Sequence, residues 1–331
     1  MHRLINYKNI LVTGFSAAMM LLLRRTLVRS VILFSFFFNH KGTKAQRFTK
    51  SFCCLVFFVS LWPNTYAQRQ DISLNNNWLT SINNKNWKTV SVPHNWDDYY
   101  GYRRLLHGNL HGDAVYKRNI SIKQSKTGKR FFLFFEGVSS YATVFLNNKK
   151  VGEHNGGRTT FTIDITNELK TDGSNNQLLV SASHPANIQD LPWVCGGCSD
   201  ERGFSEGSQP MGIFRPVHLI VTSDVRIEPF GVHAVATIQK EKISLWVNTT
   251  IKNYSLQTRH FELVNQLMQA DGKIVAAFSS ANFIKARDSV AISTIDMPVD
   301  KVILWSIDNP YLYKIVTLLK ENNIVIDKLE T

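Results

Sequence analysis

The sequence predicts an all-β protein built from two successive β-sandwiches, and three observations carry that reading. Short runs rich in Val, Ile, Phe, Tyr and Thr recur from Trp78 to Leu319, separated by clusters of Asn, Gly and Asp; this is the composition of strands joined by tight turns. Within the runs apolar and polar residues alternate. Phe161, Ile163 and Ile165 interleave with Thr160, Thr162 and Asp164, the period of a half-buried strand. The strand-then-helix alternation that builds a parallel α/β sheet occurs nowhere. At 331 residues the chain has room for two ordinary domains.

Residues 1–67 read as a basic, hydrophobic N-terminal extension. Two apolar runs, Ile10–Leu23 and Val31–Phe38, are each shorter than the ~20 residues a membrane-spanning helix needs. A third run, Phe52–Trp62, follows Arg47 and Lys50 and precedes Thr65-Tyr66-Ala67. That order is a charged flank, an apolar centre and a small-residue cleavage site, the layout of a secretory signal peptide. Cleavage after Ala67 leaves a product that starts at Gln68 and is secreted or periplasmic. Residues 1 to about 46 then read as an upstream start rather than a working element; a membrane anchor built from the first two runs is the alternative. Cys53 and Cys54 lie inside the signal, and Ser51-Phe52 supplies neither the small residue nor the Leu that lipidation wants.

The formal net charge of +13 invites a nucleic-acid or membrane-surface reading. Its distribution argues against one. Residues 1–67 hold nine basic side chains and no acidic one, so the remainder carries 29 basic against 25 acidic residues. A body so nearly balanced has no electrostatic claim on phosphate, and membrane contact is expected only through the N-terminal region.

The first folded domain is expected over 68–222. Trp78 and Trp87 open it, with turn-forming Asn runs between them. Phe131–Phe135 is apolar at every position, as in a strand covered on both faces, although a buried helix turn reads the same way. Glu136-Gly137 ends the run as a turn. Tyr141–Leu146 is strand-like and meets Asn147-Asn148, which tolerate the left-handed backbone of a tight hairpin. Val151-Gly152 starts the return strand and Gly156-Gly157 breaks it. Asn175–Val180 gives a further strand.

Several of these segments form an ordered set. Val-Pro-His-x-Trp stands at 92–96, Phe-Glu-Gly-Val at 135–138 and Val-Phe-Leu-Asn at 144–147. Val-Gly-Glu-His-x-Gly-Gly follows at 151–157, Phe-x-x-Asp-Ile-Thr at 161–166 and Gly-Ile-Phe-Arg-x-Val-x-Leu at 212–219. Together they resemble the sugar-binding, galactose-binding-like jelly-roll domain of glycoside hydrolase family 2, which includes β-galactosidases, β-glucuronidases and β-mannosidases. The resemblance implies that Val-Pro-His-x-Trp marks where the first strands give way to a loop near a sugar site.

Pro185 to Met211 is a long loop containing Trp193, Asp200, Glu201 and Glu206. Aromatic rings stack on the apolar face of a sugar and carboxylates accept its hydroxyl protons, so the loop suits a glycan; packing on a neighbouring domain is the competing reading. In some β-galactosidases of the family, acidic side chains of this domain reach into the active site of a separate barrel. On that resemblance Asp97, Asp98 and Glu206, with Trp193 as a stacking ring, are the candidate substrate contacts. Cys195 and Cys198 form a lone Cys-x-x-Cys pair. A small disulfide suits an oxidising compartment and ranks ahead of free thiols, and both rank ahead of a metal site, which lacks a second ligand pair. His94, His107, His111 and His154 have no ligand spacing, so structural or sugar-contacting roles are expected. No metal or other cofactor is implied, and no Ser-His-Asp set, phosphate loop or HExxH motif occurs.

The second domain is expected over 223–331. Strand-like runs at Val232–Ile238, Ile243–Ile251, Phe261–Leu267, Ile274–Phe278, Val290–Ile295 and Tyr313–Leu319 fit an immunoglobulin-like sandwich of about seven strands. Trp-x-x-x-x-Pro-x-Leu-Tyr at 305–313 is a further mark of the family, with Trp305 and Tyr311 expected in a core or an interface. The resemblance implies chemistry in a third domain, a (β/α)₈ barrel of ~250 residues, whose two carboxylates ~5–5.5 Å apart act with retention. That catalytic barrel is expected to be absent here, with Ile326–Thr331 read as the lead-in towards it, so no catalytic residue is nominated. The chain reads as the non-catalytic N-terminal portion of a secreted, β-galactosidase-like glycosidase. It would bind carbohydrate and work with a barrel in cis or in trans. A free-standing carbohydrate-binding or scaffold protein, and a decayed fragment, are the alternatives.

Overall fold

The computed structural model describes residues 69–82, 84–97, 111–185, 188, 211–239, 242–299 and 302–331. Every ordered element among them is a strand, and no helix among the described residues is long and apolar enough to cross a membrane.

The first sandwich is a six-stranded sheet facing a four-stranded one. In spatial order the larger sheet contains β3 (Lys85–Val90), β2 (Trp78–Ile82), β4 (Gly112–Lys123), β9 (Asp172–His184), β6 (Tyr141–Leu146) and β7 (Lys149–Asn155). The smaller contains β1 (Gln70–Ser73), β10 (Val217–Ser223), β5 (Lys129–Phe135) and β8 (Phe161–Asp164). Alternation decides which face of each strand turns inward. Ala114, Tyr116, Ile120 and Ile122 of β4, with Leu178, Val180 and Ala182 of β9, fill the core against Phe131, Leu133 and Phe135 of β5 and Leu219 and Val221 of β10. The β6–β7 hairpin turns on Asn147 and Asn148 at φ 52° and 66°, the paired left-handed backbone of a two-residue turn.

Two further sheets follow residue 224. One has three strands, β11 (Val225–Gln239), β12 (Lys242–Asn253) and β15 (Ser289–Pro298). The other has four, β14 (Ile274–Ile284), β13 (Arg259–Met268), β16 (Lys314–Glu321) and β17 (Ile324–Glu330). Three plus four strands is the count of an immunoglobulin-like sandwich.

Two details depart from the sequence reading. The last residues pair with β16 as β17 rather than leading away. Asn322 and Asn323, at φ 49° and 63°, reverse the chain, and Ile326 and Asp327 are buried. Trp305 is no core residue: it is 60% exposed, beside exposed Leu304 and Ile307.

The apolar run in β5 is explained by the junction of the sandwiches. Phe131, Leu133 and Phe135 enter the first core. Phe132, on the other face, lies under the Arg226 guanidinium of β11 at 3.5 Å and beside Tyr254. An ion pair locks the same junction. Asp327 is wholly buried and accepts from Arg69 Nε at 2.9 Å, Arg69 Nη2 at 2.8 Å and the Ile227 amide at 2.7 Å. Desolvation works against the Arg69 charge, yet its bonds to Asp327 raise its pKa overall.

Removing one partner of a buried pair leaves a desolvated charge and costs about 3 kcal/mol or more. Arg69→Met is therefore expected to lower the urea midpoint strongly. Lys149→Ala, which breaks an exposed pair with Glu168, should leave it nearly unchanged.

Candidate functional site at the loop end of the first sandwich

Four chain stems converge at one end of the first sandwich. Residues 92–97 run off β3, His111 enters β4, His184 ends β9, and Met211-Gly212 return towards β10. Backbone bonds hold them together. The His94 N–H donates to the Ile213 carbonyl at 2.8 Å, and the Trp96 N–H to the Met211 carbonyl at 3.1 Å. The Asn95 side-chain oxygen accepts from the Asp97 and Met211 amides, both at 3.1 Å. Ser139 and Gly212 exchange backbone bonds at 3.0 and 3.4 Å. The ends of the two segments flagged as candidate binding loops, around Asp97 and after Pro185, therefore share one place.

Beneath the stems lies a buried polar cluster. Tyr116 is fully buried, and burial pushes its phenol well above the usual range. It thus stays protonated and can donate to His94 Nδ1, 2.9 Å away. Burial, aided by the charge of Lys88, lowers the His94 pKa, so the imidazole is the neutral acceptor this bond requires. Gly212 sits at φ 100°, and a Cβ there would come within 2.2 Å of Tyr116 Oη. The Ser140 hydroxyl lies 2.8 Å from His184 Nδ1, and the His184 ring stacks on His111 with centroids 5.2 Å apart. Beside this cluster a cleft of about 460 Å³ is lined by Thr80, Ser81, Lys85, Lys88, His94 and Trp96. Hydroxyls, imidazoles and an ammonium or two suit hydrogen bonding to a polyol. Among the described residues no group of His, Cys, Asp and Glu could hold a metal ion.

Of the candidate contacts, Asp97 is described: it is 4% exposed, packed within the stem. Asp98, Trp193, Glu206, Cys195 and Cys198 lie outside the described residues, as does His107. His94 and His111 are brought to this end. His154 reaches the same end of the larger sheet, opposite Ala142, but it stacks on Phe161 at 4.4 Å and lies 2.8 Å from Thr159 Oγ1 rather than joining the cluster. Asn95, Tyr116, Ser140 and His184 escaped the sequence reading. For His184 the signal was available, because it continues the inward alternation of Asn176, Leu178, Val180 and Ala182.

A family model described as the sugar binding domain of glycosyl hydrolases family 2 matches residues 60–223, and a second model of glycosyl hydrolases family 2 matches residues 225–331. The chain belongs to glycosyl hydrolase family 2. It is 30% identical over 290 residues to a β-glucuronidase of Bacteroides fragilis, covering 83% of this chain and 38% of that protein. A β-galactosidase of Bacteroides ovatus is 26% identical over 252 residues, covering 74% and 28%. Among solved structures, a β-glucuronidase of the family superposes with a TM-score of 0.68 at 24% identity, covering 80% of this chain and 30% of that one; this shows a shared fold. The chain thus matches the N-terminal portion of family members and spans 38% or less of the length of these relatives.

Two outcomes test the family site's architecture. The folded His94 pKa lies below its ordinary value of 6.5, so the unfolded chain takes up this proton first. The stabilising contribution is full above about pH 6.5 and is lost as pH falls below it. His94→Gln should accordingly flatten the fall of melting temperature between about pH 7 and 5. Gly212→Ala should lower the melting temperature more than Gly272→Ala. Both positions have positive φ, but a Cβ at Gly272 meets nothing within 4 Å.

Proposed function

We propose that this chain is the substrate-binding and assembly portion of a secreted, retaining β-glycosidase acting on β-galactosides or β-glucuronides, and that hydrolysis belongs to a (β/α)₈ barrel supplied in cis or in trans. The observation that carries the reading is the back-to-back match of the family's sugar-binding domain and the domain after it, with no barrel in the matched residues. The names of the relatives divide between β-glucuronidase and β-galactosidase, which supports both sugars. The convergence of the four stems supports binding at that end. Asp97, Asp98, Trp193 and Glu206 are the residues proposed to contact the sugar or reach towards the barrel.

The second sandwich offers a surface for such a barrel. Ile303, Leu304, Trp305, Ile307 and Leu312 are 43–87% exposed, beside a groove of about 450 Å³ lined by Leu245, Val299 and Ile315. Exposed apolar clusters of this kind mark contacts with another domain. Secretion is supported by the apolar run Phe52–Trp62 ahead of Ala67; N-terminal sequencing of the exported product should start near Gln68.

The purified chain alone is expected to give no turnover of p-nitrophenyl β-galactoside or β-glucuronide. Turnover that survives contaminant controls sinks the division of labour. Calorimetric binding of a glycan with no partner polypeptide present would instead favour a free-standing binding protein.

A further inference from the structure

We infer that the groove between the two sandwiches is a second carbohydrate site, one that takes a pyranose ring on Phe230 and Phe134, on a different side of the fold from the four loop stems. Three observations lead there.

The first is backbone strain at a place where the chain had a cheaper option. Nine non-glycine residues among those described have positive φ, and seven of them are Asn. Asn tolerates this conformation because its short side chain bonds locally, whereas a bulky residue there is an outlier. Phe230, at φ 55°, breaks the pattern with a large aromatic. Strain that persists at one residue points to a use for that residue.

The second is how the strain aims the ring. β11 bulges between Ile227 and Val232 in its pairing with β12. Gly231 makes the bulge feasible, since a Cβ there would sit 2.8 Å from the Glu228 carbonyl and 3.0 Å from that of Thr250. Bulges re-aim side chains next to functional sites. This one leaves Phe230 64% exposed, with its ring centroid 6.2 Å from that of Phe134 and inclined by 52°.

The third is the lining. The groove measures about 490 Å³, and its apolar floor carries a rim that includes Arg69, Asp71, Thr162, His233 and Glu330. That size is within the range of small-ligand sites. A pyranose presents C–H groups on its faces and hydroxyls around its edge. Two inclined rings meet the faces, while carboxylate, guanidinium and hydroxyl groups on the rim meet the edge. Arg69, Asp71 and Glu330 are held in place by Asp327, His218 and the pair Lys314 and Lys328, and their remaining lone pairs and N–H groups face the edge of the ring.

The test is titration of the full chain with methyl β-D-galactopyranoside and methyl β-D-glucuronide, followed by saturation-transfer NMR and calorimetry. Saturable binding of at least one of them is expected. Phe230→Asn keeps a residue suited to the positive φ and removes the ring, so it should weaken binding about tenfold or more with no loss of melting temperature. Phe230→Tyr should retain binding, and so should Lys149→Ala, which breaks only the exposed pair with Glu168. Binding that Phe230→Asn leaves intact overturns the proposal, as does binding abolished equally by Phe230→Asn and Lys149→Ala. No saturable binding of either glycoside also overturns it. A fall in melting temperature on Phe230→Asn would overturn it too, assigning the ring to packing.

Discussion

Strand β5 (Lys129–Phe135) carries aromatic residues on both faces, and most of the architecture follows from that. Phe131, Leu133 and Phe135 are committed to the first core, which leaves Phe132 and Phe134 on a surface the first sandwich cannot cover. The second sandwich covers Phe132 and leaves Phe134 lining a groove. Arg226 lays a charged but planar group on Phe132, an arrangement open to a guanidinium because it is more weakly hydrated than an ammonium and stacks on rings. Tyr254 closes the side of the same ring, and with burial its phenol is pushed up to about 12. It remains a donor, 3.2 Å from the Glu228 carboxylate. The seam is therefore built from aromatic rings and charges in contact rather than from a continuous aliphatic core. Such a seam needs its charges paired, and Arg69–Asp327 and Arg259–Asp224 pair them.

This constraint separates the two ends of the first sandwich. At the seam, ion pairs tie the first residues of β1 to the start of β11 and to β17. At the opposite end the stems of residues 98–110 and 189–210 are tied by backbone bonds and by the Asn95 carboxamide. A rigid frame holding the bases of long segments is a common way to place binding groups. The domain that follows presents its exposed apolar residues, from Ile303 to Leu312, on a stretch without regular strand. The chain's coverage of its relatives marks it as matching their N-terminal portion.

Much of this was legible in the residues, and some was not, for identifiable reasons. The Asn147-Asn148 turn is a local signal, since left-handed backbone is a property of the residue and needs no partner. Asn322-Asn323 carries the same signal. Its strand, Ile324–Glu330, is less plain in the pattern because Asp327 and Lys328 interrupt the apolar residues. Asp327 is buried nonetheless, because Arg69, 258 positions away, neutralises it. For Trp305 the motif allows a core or an interface, and its 60% exposure rules out the core. At the candidate site, His94 and His111 were visible as residue types, but their partners Tyr116 and His184 were not. Each pair spans 22 or more positions, and no periodicity reports such a distance.

Patterning alone determined the class of the fold, the Asn147-Asn148 turn, the alternation of Phe161, Ile163 and Ile165 and the family resemblance, because alternation, left-handed turn residues and short motifs are local properties. The tertiary structure decided which sheets face each other, why every residue of Phe131–Phe135 is apolar, and where the loop stems and the strained Phe230 ring gather. Those facts depend on contacts between residues far apart in the chain, and such contacts exist only once the two sandwiches have closed on one another.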